Sequence, residues 1–201
     1  MPITVEQVRH CYNAILRREP SPGEVRRWSG YANGERSPAG MTETLITQAT
    51  EVRSIARLYA GLLGRFPESL AGPIQGADAL AYWTGVLRSF RSEHAGVPYS
   101  EALAYLVHEW LREPGLLSRF KVEDIDRYIV ELCGAVLDRN PAPEEASAWA
   151  EIAANPERGR ARLAVTLSES KECKGRLDDT INKKLRAQAH EPLLPFISSP
   201  L

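Results

Sequence analysis

"ILRREP" fills residues 15–20, "LLGRFP" residues 62–67 and "VLDRNP" residues 136–141. Each hexamer opens on an aliphatic pair and carries arginine fourth and proline sixth. The residues before the hexamers also fall into register. Val8, Cys11, Tyr12, Ala14, Ile15 and Leu16 stand opposite Ile55, Leu58, Tyr59, Gly61, Leu62 and Leu63, and opposite Ile129, Leu132, Cys133, Ala135, Val136 and Leu137. Apolar residues at i, i+3, i+4, i+7 and i+8 form one buried face of an α-helix. The aliphatic pair ends that face, and the proline, which lacks an amide hydrogen and disfavours helical backbone before it, stops the helix. Three such stops predict an all-α chain built on an internal repeat.

After each stop the helix restarts. In "SPGEVRRW" (21–28), Ser21 is an N-cap, Pro22 takes the first helical position and Glu24 completes a capping box. "APEEASAW" (142–149) repeats the register, with Glu144 and Glu145 in the first turn, where the helix dipole favours acids. Eight residues separate Pro20 from Trp28 and Pro141 from Trp149, but sixteen separate Pro67 from Trp83, so about eight residues are inserted within "ESLAGPIQGA" (68–77). Trp28, Trp83 and Trp149 are expected to fold back onto the first helix of each copy as structural core. Arg18, Arg65 and Arg139 are expected to cap the stopped helices and to pair with surface acids.

A third amphipathic helix closes each copy, in "SPAGMTETLITQATEV" (37–52), "SEALAYLVHEWL" (100–111) and "RGRARLAVTLSES" (158–170). The reading is three divergent repeats of about three helices each: 1–54, 55–120 with insertions, and 121–177, followed by a C-terminal helix and extended tail over 178–201. No breaker separates Val52 from Ile55, so the first copy's last helix either continues or turns there.

Composition narrows the function classes. With 25 basic and 26 acidic residues the net charge is −1, which gives no electrostatic reason to expect nucleic acid or an anionic membrane as partner. No run approaches the roughly 18–20 apolar residues of a spanning helix, and "MPITVEQVRH" lacks the basic-then-apolar layout of a signal peptide. Cys11, Cys133 and Cys173 are too few and too scattered for a disulfide framework or a zinc site, so reduced thiols are expected. Cys173, beside Lys171, Glu172 and Lys174, is expected to be the most accessible of them.

Catalytic chemistry finds no foothold. "HEW" at 108–110 has Arg112 where a zinc helix would need its second histidine, and His10 and Cys11 diverge as neighbours on one helix. His94 and His190 have no carboxylate partner close in sequence. No calcium loop or phosphate-cradling glycine run occurs. No catalytic, cofactor or metal residue is assigned.

"LYAGLLGRFP", with Ala81-Tyr82-Trp83 and with Ser170-Lys171-Glu172 closing the third copy, resembles a bacterial domain of unknown function related to the phycobilisome linker domain. Its pattern is an aromatic and aliphatic helix, a Leu-Gly-Arg-x-Pro stop, a helix ending in Tyr-Trp and a Ser-x-Glu close. The likeness spans roughly residues 8–175. The second copy lacks the Asp-Pro-x-Gly run after its proline, and the third has Cys133 in place of tyrosine. The resemblance implies a helical module of bacterial surface, calcium-repeat and phage-associated proteins or of assembly linkers. It implies protein or glycan association, and it carries over no catalytic residue.

The last segment departs from the repeat. Leu193, Leu194, Phe196 and Ile197 are assigned to partner binding, because exposed they invite aggregation, while Pro192, Pro195 and Pro200 favour an extended chain suited to another surface. The expected function is a non-enzymatic structural protein making subunit contacts, with its own copies or other proteins, in a phage virion or bacterial surface assembly. The alternative is a carbohydrate-binding or adhesion module using Trp28, Trp83, Trp110 and Trp149 as stacking surfaces.

Overall fold

The computed structural model describes residues 2–30, 37–67, 78–112 and 117–190. These form ten α-helices and no strand. In order they are α1 (Val5–Leu16), α2 (Pro22–Trp28), α3 (Pro38–Gln48), α4 (Thr50–Leu63), α5 (Ala79–Glu93), α6 (Tyr99–Arg112), α7 (Ile125–Leu137), α8 (Pro143–Ala153), α9 (Gly159–Ser168) and α10 (Lys171–His190), with one 3₁₀ turn at Ser118–Phe120. The insertion expected in 68–77 and the residues assigned to partner binding, Leu193, Leu194, Phe196 and Ile197, lie outside the described residues.

Each hexamer ends its helix in the same way, and by more than its proline. The third residue of each, Arg17, Gly64 and Asp138, has a left-handed backbone, with φ of 54°, 66° and 60°. That conformation turns the chain off the helix axis one residue after the aliphatic pair. The fourth residue then reaches forward. Arg18 donates to both carboxylate oxygens of Glu24 at 2.9 and 2.7 Å, while Glu24 accepts the Ser21 amide at 2.8 Å. Arg139 grips Glu145 at 2.7 and 2.8 Å, and Glu145 accepts the Ala142 amide at 2.9 Å. Ala142 has no side-chain acceptor, so Glu145 supplies only the return bond of that box.

Capping of the stopped helices falls partly to other arginines than those expected. Arg119 donates to the Gly61 and Leu62 carbonyls at the end of α4, at 3.1 and 2.9 Å, and Arg176 donates to the Val136 carbonyl of α7. Arg18 and Arg139 bond the carbonyls of Glu19 and Asn140, beyond the helix ends. A left-handed turn between the last helical carbonyl and the fourth residue brings the guanidinium to the first turn of the next helix, and Arg18 also lies over the Tyr12 ring of α1, 5.1 Å from its centroid.

The chain divides into two compact units. The described residues of Met1–Thr50, with those from Asn182 on, form one; Glu51–Ile181 form the other. In the first, α1 packs against α2 and α3, and Val8, Ile15, Met41 and Leu45 are fully buried. Trp28 closes this core and donates its indole N–H to the Tyr12 hydroxyl at 3.3 Å. Residues 182–190 of α10 belong here too: the Arg17 guanidinium meets Gln188 Oε1 at 2.6 Å, and His10 Nε2 lies 3.0 Å from the Gln188 carbonyl. The chain turns before Val52 rather than after it. Ala49 departs from helical backbone (ψ 39°), so that α3 and α4 are separate helices.

In the second unit α6 packs against α5 and α9, and α7 against α8 and α9. Gly61 of α4 faces Val136 of α7 so closely that a Cβ there would sit 3.0 Å from Val136 Cγ2. Trp110 of α6, 1 % exposed, is the largest fully buried side chain, with Tyr59 and Trp83 edge-on to it at 5.1 and 5.3 Å. The three tryptophans assigned to the core therefore differ. Trp28 is buried, whereas Trp83 and Trp149 are less so; beneath Trp83 the deep position belongs to Trp110.

Candidate association surface

Several ionisable groups are engaged in structure. In the second unit Arg57, whose side chain is 3 % exposed, donates to Glu169 Oε1 and Asp178 Oδ1, both at 2.6 Å, and to Ser54 Oγ at 3.2 Å. Lys174 adds a contact to Glu169 at 3.0 Å. Burial works to raise the Glu169 carboxyl, but the Arg57 guanidinium outweighs it and holds it below the usual carboxylate range. A permanently charged guanidinium between two carboxylates fixes α4 to the start of α10 and offers no proton to exchange.

His10, His94 and His190 each lie against a backbone carbonyl. His94 Nδ1 lies 3.0 Å from the Phe90 carbonyl and His190 Nδ1 2.7 Å from that of Arg186. His108 lines a cleft of about 390 Å³ with Arg158, Arg160 and Glu123. Arg160 is engaged there by the carbonyls of Val122 and Glu123. Among the described residues no group of three His, Cys, Asp or Glu side chains is placed to hold a metal ion. No helix among them is long and apolar enough to cross a membrane.

All three cysteines are free and buried. The expectation that Cys173 is the most accessible is overturned: it is 0 % exposed, against 6 % for Cys11. Its charged neighbours in sequence point elsewhere around α10, so the polarity of the segment misrepresented this one face. Burial pushes the thiol of Cys173 upward, as it does those of Cys11 and Cys133, which disfavours the reactive thiolate.

What stands out instead is a surface on α5. Asp78 caps this helix, accepting the amides of Leu80 and Ala81 at 3.0 and 3.1 Å. Leu80, Thr84 and Leu87 turn into the core. Tyr82, Val86 and Phe90 form a second row, displaced by two residues and hence by about 200° around the helix. Tyr82 is 63 % exposed. Phe90 is stacked between His94 and Tyr105 of α6, with centroids 4.3 and 4.4 Å away and both interplanar angles 18°. These rings, with Gly85, Ser89 and Glu93, line a groove of about 510 Å³.

Its chemistry suits recognition. Aromatic rings held by stacking present rigid apolar area at small entropic cost, and exposed apolar clusters rimmed by polar residues mark association sites. Sequence reasoning placed Tyr82 in a family pattern but missed the groove. The available signal was "YWTGVLRSF" (82–90), where apolar residues occupy both faces of one helix.

No family model matches the chain, and neither a curated protein nor a solved structure matches it.

Proposed function

We propose that the protein is a non-enzymatic association module, a structural subunit of a larger particle such as a phage virion or a bacterial surface assembly. The observation that carries this reading is the second apolar row on α5, Tyr82, Val86 and Phe90, opening into an aromatic groove. A helix needs one apolar stripe to join its own core; another stripe facing outward favours a partner. In this reading the chain consists of three divergent repeats, 1–54, 55–120 and 121–177. The left-handed third residue in all three hexamers, and the matching Arg18–Glu24 and Arg139–Glu145 clamps, support the arrangement. The resemblance to the domain related to phycobilisome linkers points the same way, since those are assembly modules. Segment 191–201 supplies further contacts through Leu193, Leu194, Phe196 and Ile197.

The glycan-binding alternative draws support from the aromatic character of the groove and loses it from the burial of Trp28 and Trp110. One experiment separates the two. The tagged full chain is purified from the producing cells under native conditions, and its neighbours are identified and counted. Recovery in fixed stoichiometry with the proteins of a sedimenting particle supports the structural reading. Recovery as a lone chain that is retained on immobilised glycans and released by free sugar overturns it.

A further inference from the structure

From the groove and the composition of segment 191–201 we infer that the Pro192–Phe196 stretch of one copy docks in the α5–α6 groove of a second copy, an inference that rests on the proposed association role. The segment "PLLPFISSPL" (192–201) has ten uncharged residues and, in Pro192-Leu193-Leu194-Pro195, two prolines three apart. Polyproline II backbone has three residues per turn, so prolines at i and i+3 lie on one edge of the strand. Aromatic-lined grooves accept such edges because proline rings are flat, apolar and already restricted, which lowers the ordering cost of binding.

The dimensions agree. From Tyr82 to Phe90 the groove row covers eight helical steps, about 12 Å at ~1.5 Å each. A five-residue ligand in polyproline II geometry, the length of the Pro192–Phe196 stretch, would cover four steps, also about 12 Å at ~3.1 Å each. Gly85 forms part of the floor, and a Cβ there would meet nothing within 4 Å. The middle of the groove is thus open where a proline ring or leucine side chain would lie.

A segment of one copy in the groove of another is a head-to-tail contact. Such contacts use two different surfaces per subunit, and unless the rotation closes a ring they generate open chains. This is an assembly mode that a structural subunit can use.

The test exploits the two-surface geometry with the full-length chain throughout. Gly85→Leu fills the groove, and helix content by circular dichroism confirms that it folds; Tyr82→Asp serves as a second groove variant. Pro192→Ser with Pro195→Ser breaks the segment. Sedimentation equilibrium should show the wild-type mass rising with concentration, and each variant alone remaining monomeric to concentrations at least tenfold higher. An equimolar mixture of groove-blocked and segment-broken chains should form a one-to-one dimer, because each retains the surface that the other lacks. Undiminished association in both variant types overturns the inference and leaves the structural reading standing on another surface. A wild-type chain monomeric throughout the range also overturns it, as does a mixture that fails to pair.

Discussion

Arg17, Gly64 and Asp138 share a left-handed backbone, yet only one of them is glycine. For a residue with a Cβ that conformation costs roughly 1–2 kcal/mol. Asp138 is exposed, so Asp138→Gly is expected to stabilise the protein by about 1 kcal/mol, and Gly64→Ala to destabilise it by about the same amount. Urea midpoints read both. A fall in midpoint for Asp138→Gly would exclude backbone strain as the dominant factor there. Arg17 is a poorer test, since its guanidinium is held by Gln188. Among the aromatic residues, Trp110→Ala should be the most damaging tryptophan change in the second unit, by about 3–5 kcal/mol. Trp149→Ala should cost distinctly less, because part of that ring already meets solvent.

Between elements, the arginine–glutamate clamps make stability depend on pH. Arg18 draws Glu24 down to about 2, and Arg139 does the same for Glu145. Arg57 lowers Glu169, overcoming the opposing effect of burial. A carboxyl whose folded pKa lies below its unfolded value contributes stability that is fully present above the unfolded value, near 4.5, and lost as pH falls through the folded one. The urea midpoint is therefore expected to decline between about pH 4.5 and pH 2, and Arg139→Met should flatten part of that decline. An unchanged slope in the variant would mean that the clamp leaves the native carboxyl unperturbed. The α4–α7 crossing is sensitive in another way: the 3.0 Å approach expected for a Cβ at Gly61 forces Val136 to shift, whatever helix propensity alanine adds.

Over the whole molecule, long-range ion pairing and segment 191–201 are expected to have separable effects. Arg57→Met leaves Glu169 and Asp178 without their shared cation, and the loss should approach about 3 kcal/mol, the lower end for a broken buried pair because both acids keep some solvent contact. Thermal melting of the variant checks it. Removing residues 191–201 should leave helix content and melting temperature of the described body unchanged while reducing self-association, measured by circular dichroism and light scattering on the same samples. Loss of helix content on truncation would instead place the segment in the chain's own core.

Helix class and the three stops were legible from local sequence because proline, aliphatic pairs and capping residues act through bonds to their immediate neighbours. The Ser21–Glu24 box needed nothing from the rest of the fold. Gly64 hinted at the left-handed turn, but Arg17 and Asp138 concealed it, since neither residue type requires that backbone. Tertiary structure alone decided which faces were covered. Cys173 sits among charges in sequence and is nonetheless buried, Trp110 displaces Trp83 from the deep core, and Arg119 and Arg176 cap helices far from them in the chain. The groove belongs to the same class. "YWTGVLRSF" announces two apolar rows, but which one meets the core depends on where α6 lies, and only that packing leaves Tyr82, Phe90 and Tyr105 gathered on an outer surface.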